Sequence, residues 1–144
     1  MNILVSACLL GLCTSDDGQG KGHPNVLALA NKHTLIPVCP EQLGGLPTPR
    51  PPAELQPDGR VINTLGQDVT QAFTKGAKMA LDIARLTGCE AAILKARSPS
   101  CGLGRVYDGS FSGTLKEGNG LFAALCLGSS LPVYTEEHLH QLNF

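Results

Sequence analysis

Ala91-Ala92-Ile93-Leu94-Lys95 is a short apolar run that stops just before the turn-forming residues Ser98-Pro99-Ser100-Cys101-Gly102. An unbroken apolar run of this length, bounded by Pro and Gly, reads as a strand buried on both faces. Such a strand needs helices above and below it, and the flanking sequence supplies them. Upstream, Val69, Phe73, Ala77, Ala80, Leu81 and Ala84 recur at helical spacing. Thr64 and Gln67 fit a capping box at the start of that helix, and Gly88 suits the position just past its end. Downstream, a Gly-rich loop from Ser98 to Gly120 leads into an apolar helix from Leu121 to Leu127. Leu131-Pro132-Val133-Tyr134 then reads as a last strand, and Glu136 to Leu142 as a short terminal helix.

The same alternation holds nearer the N-terminus. Ile3 to Ala7 reads as a buried strand, Asn25 to Lys32 as a short helix, and Thr34-Leu35-Ile36-Pro37-Val38 as a second strand. Pro37 cannot donate to a ladder, so that strand belongs at an edge or carries a bulge. The stretch from Gly44 to Pro57, with Pro47, Pro49, Pro51 and Pro52, reads as an irregular loop. It is not an interdomain linker, because too little chain lies upstream to fold alone. After an Asp58-Gly59 turn, Arg60-Val61-Ile62-Asn63 is a short extended piece. Strands alternating with helices imply an α/β class. The expectation is a single compact three-layer domain over residues 1–144 with a mostly parallel sheet, flavodoxin-like or Rossmann-like.

Composition removes several function classes. The chain has 144 residues, with Lys plus Arg at 11 and Asp plus Glu at 12, for a formal charge of −1. A sequence-independent nucleic-acid binder needs a basic surface, which this balance does not provide. With 42% hydrophobic and 16% charged residues, the chain is globular rather than disordered. No apolar run approaches the roughly 20 residues that span a bilayer. Met1-Asn2-Ile3-Leu4-Val5 has no basic n-region, so no secretory signal or membrane partner is expected, and the expected location is cytoplasmic.

Six cysteines in such a chain need a reason, and their positions suggest one. Cys8 follows the first strand, Cys39 the second, and Cys101 lies in the loop after the third. In open parallel sheets the ligand site is the crevice outside the carboxyl ends of the strands. These three can therefore converge on one point. Cys89, placed before a strand, and Cys126, inside the Leu121–Leu127 run, read as ordinary buried thiols. Cys13 is ambiguous. Three convergent thiolates suit zinc, completed by His23 or Cys13, or an iron–sulfur cluster with one iron lacking a protein thiolate. A purely structural set is a third reading, and spacing alone leaves all three open. Chemistry-bearing residues stand beside the same points. Glu41 is next to Pro40 after Cys39, Ser98 and Ser100 precede Cys101, and Lys95 and Arg97 lie just upstream. Lys95, Arg97 and Arg50 are candidates for a substrate phosphate, as is the turn Gly118-Asn119-Gly120 through Asn119.

Val5-Ser6-Ala7-Cys8-Leu9-Leu10-Gly11, Ile36-Pro37-Val38-Cys39-Pro40-Glu41, Gly44-Gly45-Leu46-Pro47-Thr48-Pro49-Arg50 and Lys95-Ala96-Arg97-Ser98-Pro99-Ser100-Cys101-Gly102 together resemble the thiouracil desulfidase family. Asp108-Gly109-Ser110-Phe111 and Gly118-Asn119-Gly120 extend the likeness almost to the C-terminus. Each motif alone is weak, but the ordered set is specific and covers essentially the whole chain. The resemblance implies a 4Fe–4S cluster held by Cys8, Cys39 and Cys101. It further implies a non-redox exchange of the sulfur of a thiolated uracil for oxygen, with release of hydrogen sulfide. Carried over by position, Glu41 would be the acid/base residue, assisted by Ser98, with Ser100 as its fallback and a candidate substrate contact.

The chain departs from the family in one loop. Members commonly have Arg-Tyr-Asp-Gly after the cysteine matching Cys13, where this chain has Thr14-Ser15-Asp16-Asp17-Gly18. That difference bears on substrate preference rather than on the cluster. Some relatives carry a further C-terminal domain, whereas this sequence stops at Phe144. The expected partner is a small thiolated pyrimidine base or nucleotide: 2-thiouracil, 4-thiouracil or 4-thiouridine monophosphate. Intact thiolated tRNA is expected to be a poor substrate, for lack of a basic excess and of stacking aromatics. The alternative is a non-catalytic iron–sulfur or zinc-binding sulfur carrier.

Overall fold

The structure is a computed structural model that describes residues 1–142. In chain order its elements begin with β1 (Asn2–Ser6), α1 (Pro24–Ala28), β2 (Thr34–Val38) and α2 (Pro40–Leu43). They continue with β3 (Ala53–Leu55), β4 (Val61–Asn63), α3 (Thr70–Leu86) and β5 (Cys89–Leu94). The remainder are β6 (Arg105–Tyr107), β7 (Leu115–Glu117), α4 (Leu121–Gly128) and β8 (Val133–Thr135). Four strands form the central sheet in the order β2-β1-β5-β8, every neighbouring pair parallel. The expected mostly parallel α/β domain is what the chain forms. Pro37 lies in β2, an edge strand, as its missing N–H requires.

Alternation along the strands divides the core into two layers. Ile3 and Val5 of β1 and Ile93 of β5 point to one side, where they meet Leu9 and Val26. Leu4, Ala92 and Leu94 point to the other, against Ala77, Ala80, Leu81 and Ala84 of α3 and Phe122, Ala123 and Cys126 of α4. Helices therefore cover both faces. Among the described residues, no helix is long and apolar enough to cross a membrane.

Several boundaries differ from the sequence reading. The capping box at Thr64 and Gln67 does not form, and α3 begins at Thr70. Asn63 takes the amide that a Thr64 cap would need. Its Oδ1 accepts from the N–H groups of Leu65 and Gln67, each at 3.0 Å, closing a turn instead of a helix. Asp68 then holds the true helix start, accepting from the Thr70 N–H at 2.9 Å. Gly88 is placed as expected, just past the helix at φ +64. Cys89 is the first residue of β5 rather than a residue before it. The last strand begins at Val133, and the terminal helix is only a 3-10 turn over Leu139–Gln141. Likewise α1 covers Pro24–Ala28 and passes into a 3-10 turn over Leu29–Asn31. The extended piece Arg60-Val61-Ile62-Asn63 contains β4, and the supposed loops on either side contain strands: β3, which pairs with β4, and β6, which pairs with β7, both antiparallel.

The helix α2 is short, and what holds it is close contact with α3. A Cβ on Gly76 would lie 1.7 Å from the carbonyl oxygen of Pro40, and one on Gly44 1.9 Å from that of Ala72. Only glycine lets the two backbones touch, and this seats α2 on α3.

Candidate active site at the carboxyl ends of the strands

β1 lies between β2 and β5, so the chain leaves it in one direction and later returns on its other side. The helix after β1 packs on one face and those after β2 and β5 on the other. A crevice opens where such a sheet reverses order. Here it is a cleft of about 360 Å³, walled by Cys8, Cys39, Cys101, Glu41, Ser98 and Arg50, among others. The three strand-end cysteines thus share one cavity.

Each cysteine is delivered by a different local device. Cys8 lies in a 3-10 turn over Ala7–Leu10, and its carbonyl accepts from the N–H groups of Gly11 and Lys21 at 3.0 and 2.8 Å. Cys39 is the residue from which α2 starts. Cys101 sits in a turn organised by Ser98, whose Oγ accepts from the N–H of Ser100 at 3.1 Å and of Cys101 at 3.0 Å. Behind that turn a Cβ on Gly120 would come within 2.4 Å of the Ser100 carbonyl oxygen, so α4 starts in contact with the cysteine loop.

All six cysteines are free thiols. Burial pushes the Cys101 thiol far up, with Glu41, Cys8 and Cys39 adding negative charge and a Ser6 hydrogen bond opposing. Cys8 is also raised, mainly by burial, against a hydrogen bond from Ser15 and the charge of Lys95. Such thiols lose their protons readily only when a metal replaces them. Among the described residues, no group of three His, Cys, Asp or Glu side chains is placed to hold a single metal ion. A zinc ion on the three cysteines would need His23 or Cys13 as its fourth ligand, and neither stands with them in the cleft. Cys13 is exposed. A donor set of three thiols on three separate strand ends, with the serine hydroxyls of Ser6 and Ser15 against two of the sulfurs, suits the separate corners of an iron–sulfur cluster.

Glu41 stands in the first turn of α2 and is bound by Arg50, whose Nε donates to Oε1 at 2.9 Å. Burial raises the Glu41 carboxyl above its ordinary range, against the opposing charge and hydrogen bond of Arg50. Arg50 itself is buried and has a partner for every nitrogen. Nη1 donates to the Pro47 carbonyl and Thr48 Oγ1, and Nη2 to the Thr14 carbonyl and Cys39 Sγ. This overturns its reading as a phosphate holder, because no N–H remains to bind one.

The other expected contacts divide. Lys95 and Arg97 line the cleft, but Lys95 Nζ lies 3.0 Å from Glu136 and Arg97 Nη1 3.1 Å from Glu137. Ser100 is fully buried and does not open on the cleft; its Oγ has no hydrogen-bond partner. Asn119 is also elsewhere, its Oδ1 accepting from the Gly104 N–H at 2.8 Å to fix the loop before α4. Both are corrected as substrate contacts, since neither side chain reaches the cleft. Cys89 is half-buried beside Thr87 Oγ1 at 3.3 Å. Cys126 is buried, its thiol pushed up to about 12.

Sequence reasoning missed Ser6, Ser15 and Glu136, and misassigned Arg50. Ser6 closes β1 two residues before Cys8, and a polar residue ending an apolar strand is the signal that could have found it.

The sequence profile of the 2-thiouracil desulfurase family matches residues 3–138. The uncharacterized protein YbbK of Bacillus subtilis (strain 168) is 36% identical over 149 aligned residues, covering 97% of this chain and 99% of its own length. A solved structure of the [4Fe-4S]-dependent thiouracil desulfidase TudS superposes with a TM-score of 0.91 at 44% identity, covering 98% of this chain and 94% of that one. The architecture, the shared cleft and these likenesses agree: the chain belongs to the 2-thiouracil desulfurase family.

Proposed function

We propose that this protein is a non-redox desulfidase that exchanges the sulfur of a small thiolated uracil for oxygen and releases hydrogen sulfide. Its cofactor would be a 4Fe–4S cluster held by Cys8, Cys39 and Cys101. The observation that carries this reading is the meeting of those three thiols and a buried carboxyl, Glu41, in one cleft. When bound, a cluster with three protein thiolates supplies an iron open to a soft sulfur ligand, which acts as a Lewis acid.

The remaining steps belong to the chain. Arg50 fixes Glu41 through Oε1, which leaves Oε2 as the oxygen that meets a water in the cleft. Glu41 Oε2 takes one proton as that water adds to the ring carbon bearing sulfur, and returns it to the sulfur. It then relays the remaining hydroxyl proton the same way as the carbonyl forms and the carbon–sulfur bond breaks. Ser98 Oγ has its acceptor sites occupied by two backbone N–H groups, so it offers its O–H proton to the water or to the developing charge. Thiocarbonyl plus water gives carbonyl plus hydrogen sulfide, and no electrons are exchanged. Lys95 and Arg97, held by Glu136 and Glu137, would border the ring's substituent.

Anaerobic purification should give about four iron and four inorganic sulfide per chain. Rates on 2-thiouracil, 4-thiouracil, 4-thiouridine monophosphate and thiolated tRNA at one salt concentration test the substrate class. Conversion of a small substrate with one sulfide released per oxygen analogue supports the reading. Stoichiometric zinc, or faster turnover of tRNA than of every small substrate, would overturn it.

A further inference from the structure

A pyrimidine is a flat ring, and proteins that hold one commonly lay an aromatic side chain against it. This chain has few to use. Phe73 and Phe122 are sealed in the core, and Tyr134 packs on the α1 face of the sheet. Among the described residues that leaves Tyr107, which lines the cleft, and Phe111, which stands just outside the cleft wall, bonded through its N–H to the wall residue Glu54, and is 40% exposed. Both belong to one hairpin. Tyr107 ends β6, and Phe111 lies in the turn before β7.

Phe111 is held at φ +56, a left-handed conformation that bulky residues adopt only under constraint. The constraint is visible. Glu54 Oε1 accepts from the N–H groups of Gly109 and Phe111 at 3.0 and 3.1 Å, and Gln56 Nε2 donates to the Gly109 carbonyl at 3.2 Å. Glu54 is itself part of the cleft wall, so the Phe111 backbone is one hydrogen bond from the cavity. A left-handed position in a turn ordinarily takes Gly or Asn. A phenyl group there, strained and left in water, calls for a use.

Taking the desulfidase reading as its basis, we infer that Phe111 is a substrate-binding residue. Its ring covers the outer face of the bound thiolated pyrimidine at the mouth of the cleft, beside Tyr107. Glu54 is the positioning residue that holds the turn in place.

The test uses the cluster-loaded protein, with steady-state kinetics on 2-thiouracil and calorimetric titration with uracil, which needs no turnover. Phe111→Ala should raise KM and weaken uracil binding by roughly 5- to 150-fold, leaving kcat and the visible absorption near wild type. Phe111→Tyr should restore binding. Phe111→Gly should melt no lower than wild type, because it relieves the left-handed strain, and yet bind uracil as poorly as Phe111→Ala. Unchanged KM and affinity in Phe111→Ala, or wild-type binding by Phe111→Gly, would overturn the inference. The two readings also fail apart. Uracil binding that depends on Phe111 without sulfide release refutes the desulfidase and keeps this inference. Sulfide release with a KM indifferent to Phe111 does the reverse.

Discussion

Glu41 and Arg50 show how much of a site can rest on one ion pair. The Glu41 carboxyl is raised by burial, and Arg50 is the group that keeps it from rising further. Removing the guanidinium leaves a buried carboxyl unpaired and frees the carbonyls of Pro47 and Thr14 as well. Arg50→Met should therefore lower stability by about 3 kcal/mol, read as a shift in the denaturant midpoint. Glu41→Gln should be milder for stability, since an amide oxygen still accepts from Arg50 Nε. Its effect should fall on turnover, with a loss of roughly 100-fold or more at full cluster content, the scale of general acid–base assistance. Wild-type turnover in a fully loaded Glu41→Gln protein would remove Glu41 from the mechanism. Ser98→Ala should lower turnover less, but it also unties the turn that carries Cys101, so cluster content has to be measured alongside the rate.

At the scale of elements, placement of the site depends on glycines that allow backbone contact. Gly76→Ala would set a Cβ 1.7 Å from the Pro40 carbonyl oxygen and push α2 away from α3. An expected loss of about 1–3 kcal/mol follows from overpacking, together with displacement of Glu41. The same substitution at Gly128, the last residue of α4, meets nothing within 4 Å. Gly128→Ala should be neutral or stabilise by up to about 1 kcal/mol, through lower unfolded-state entropy. Thermal melts of the two variants check the opposite signs. Elements also mark where sequence reading stops. The central strands were legible because each is an apolar run with turn signals at its ends, and the strand-end cysteines were legible with them. The start of α3 was not, because Asn63 and Thr64 compete for one amide and only geometry decides between them. β3, β6 and β7 are three residues long, too short for alternation to register, whereas β4 was legible as the extended piece after the Asp58-Gly59 turn. Arg50 escaped because its partners, Thr14, Cys39 and Glu41, come together only once the loops fold over the sheet.

For the molecule as a whole, the sheet works as a rigid frame that holds three loops at one end. The buried strands keep their own core, and Cys101 is the only proposed ligand counted within it. Cys8 packs at the margin of the opposite layer, and Cys39 heads α2. A cluster bridging all three would tie together the ends of β1, β2 and β5, leaving the strands to stand without it. Removing it by chelation under air should therefore preserve the far-UV circular dichroism while increasing protease cleavage in the loops around Cys8 and Cys101. The proposed ligand set is tested one cysteine at a time. Cys8→Ala, Cys39→Ala and Cys101→Ala should each abolish the visible absorption of the anaerobically purified protein. Cys89→Ala and Cys126→Ala should retain it, since one sits at the start of β5 and the other inside the core, both away from the cleft. Cys13→Ala is the sharpest member of the series. Five residues from Cys8 along the chain, it is exposed and contributes nothing to the cavity wall. Full absorption in Cys13→Ala would leave three protein thiolates and an open iron for the substrate sulfur. Loss of the cluster on replacing Cys13 would instead make it a fourth ligand, close that iron, and remove the step on which the desulfidase chemistry depends.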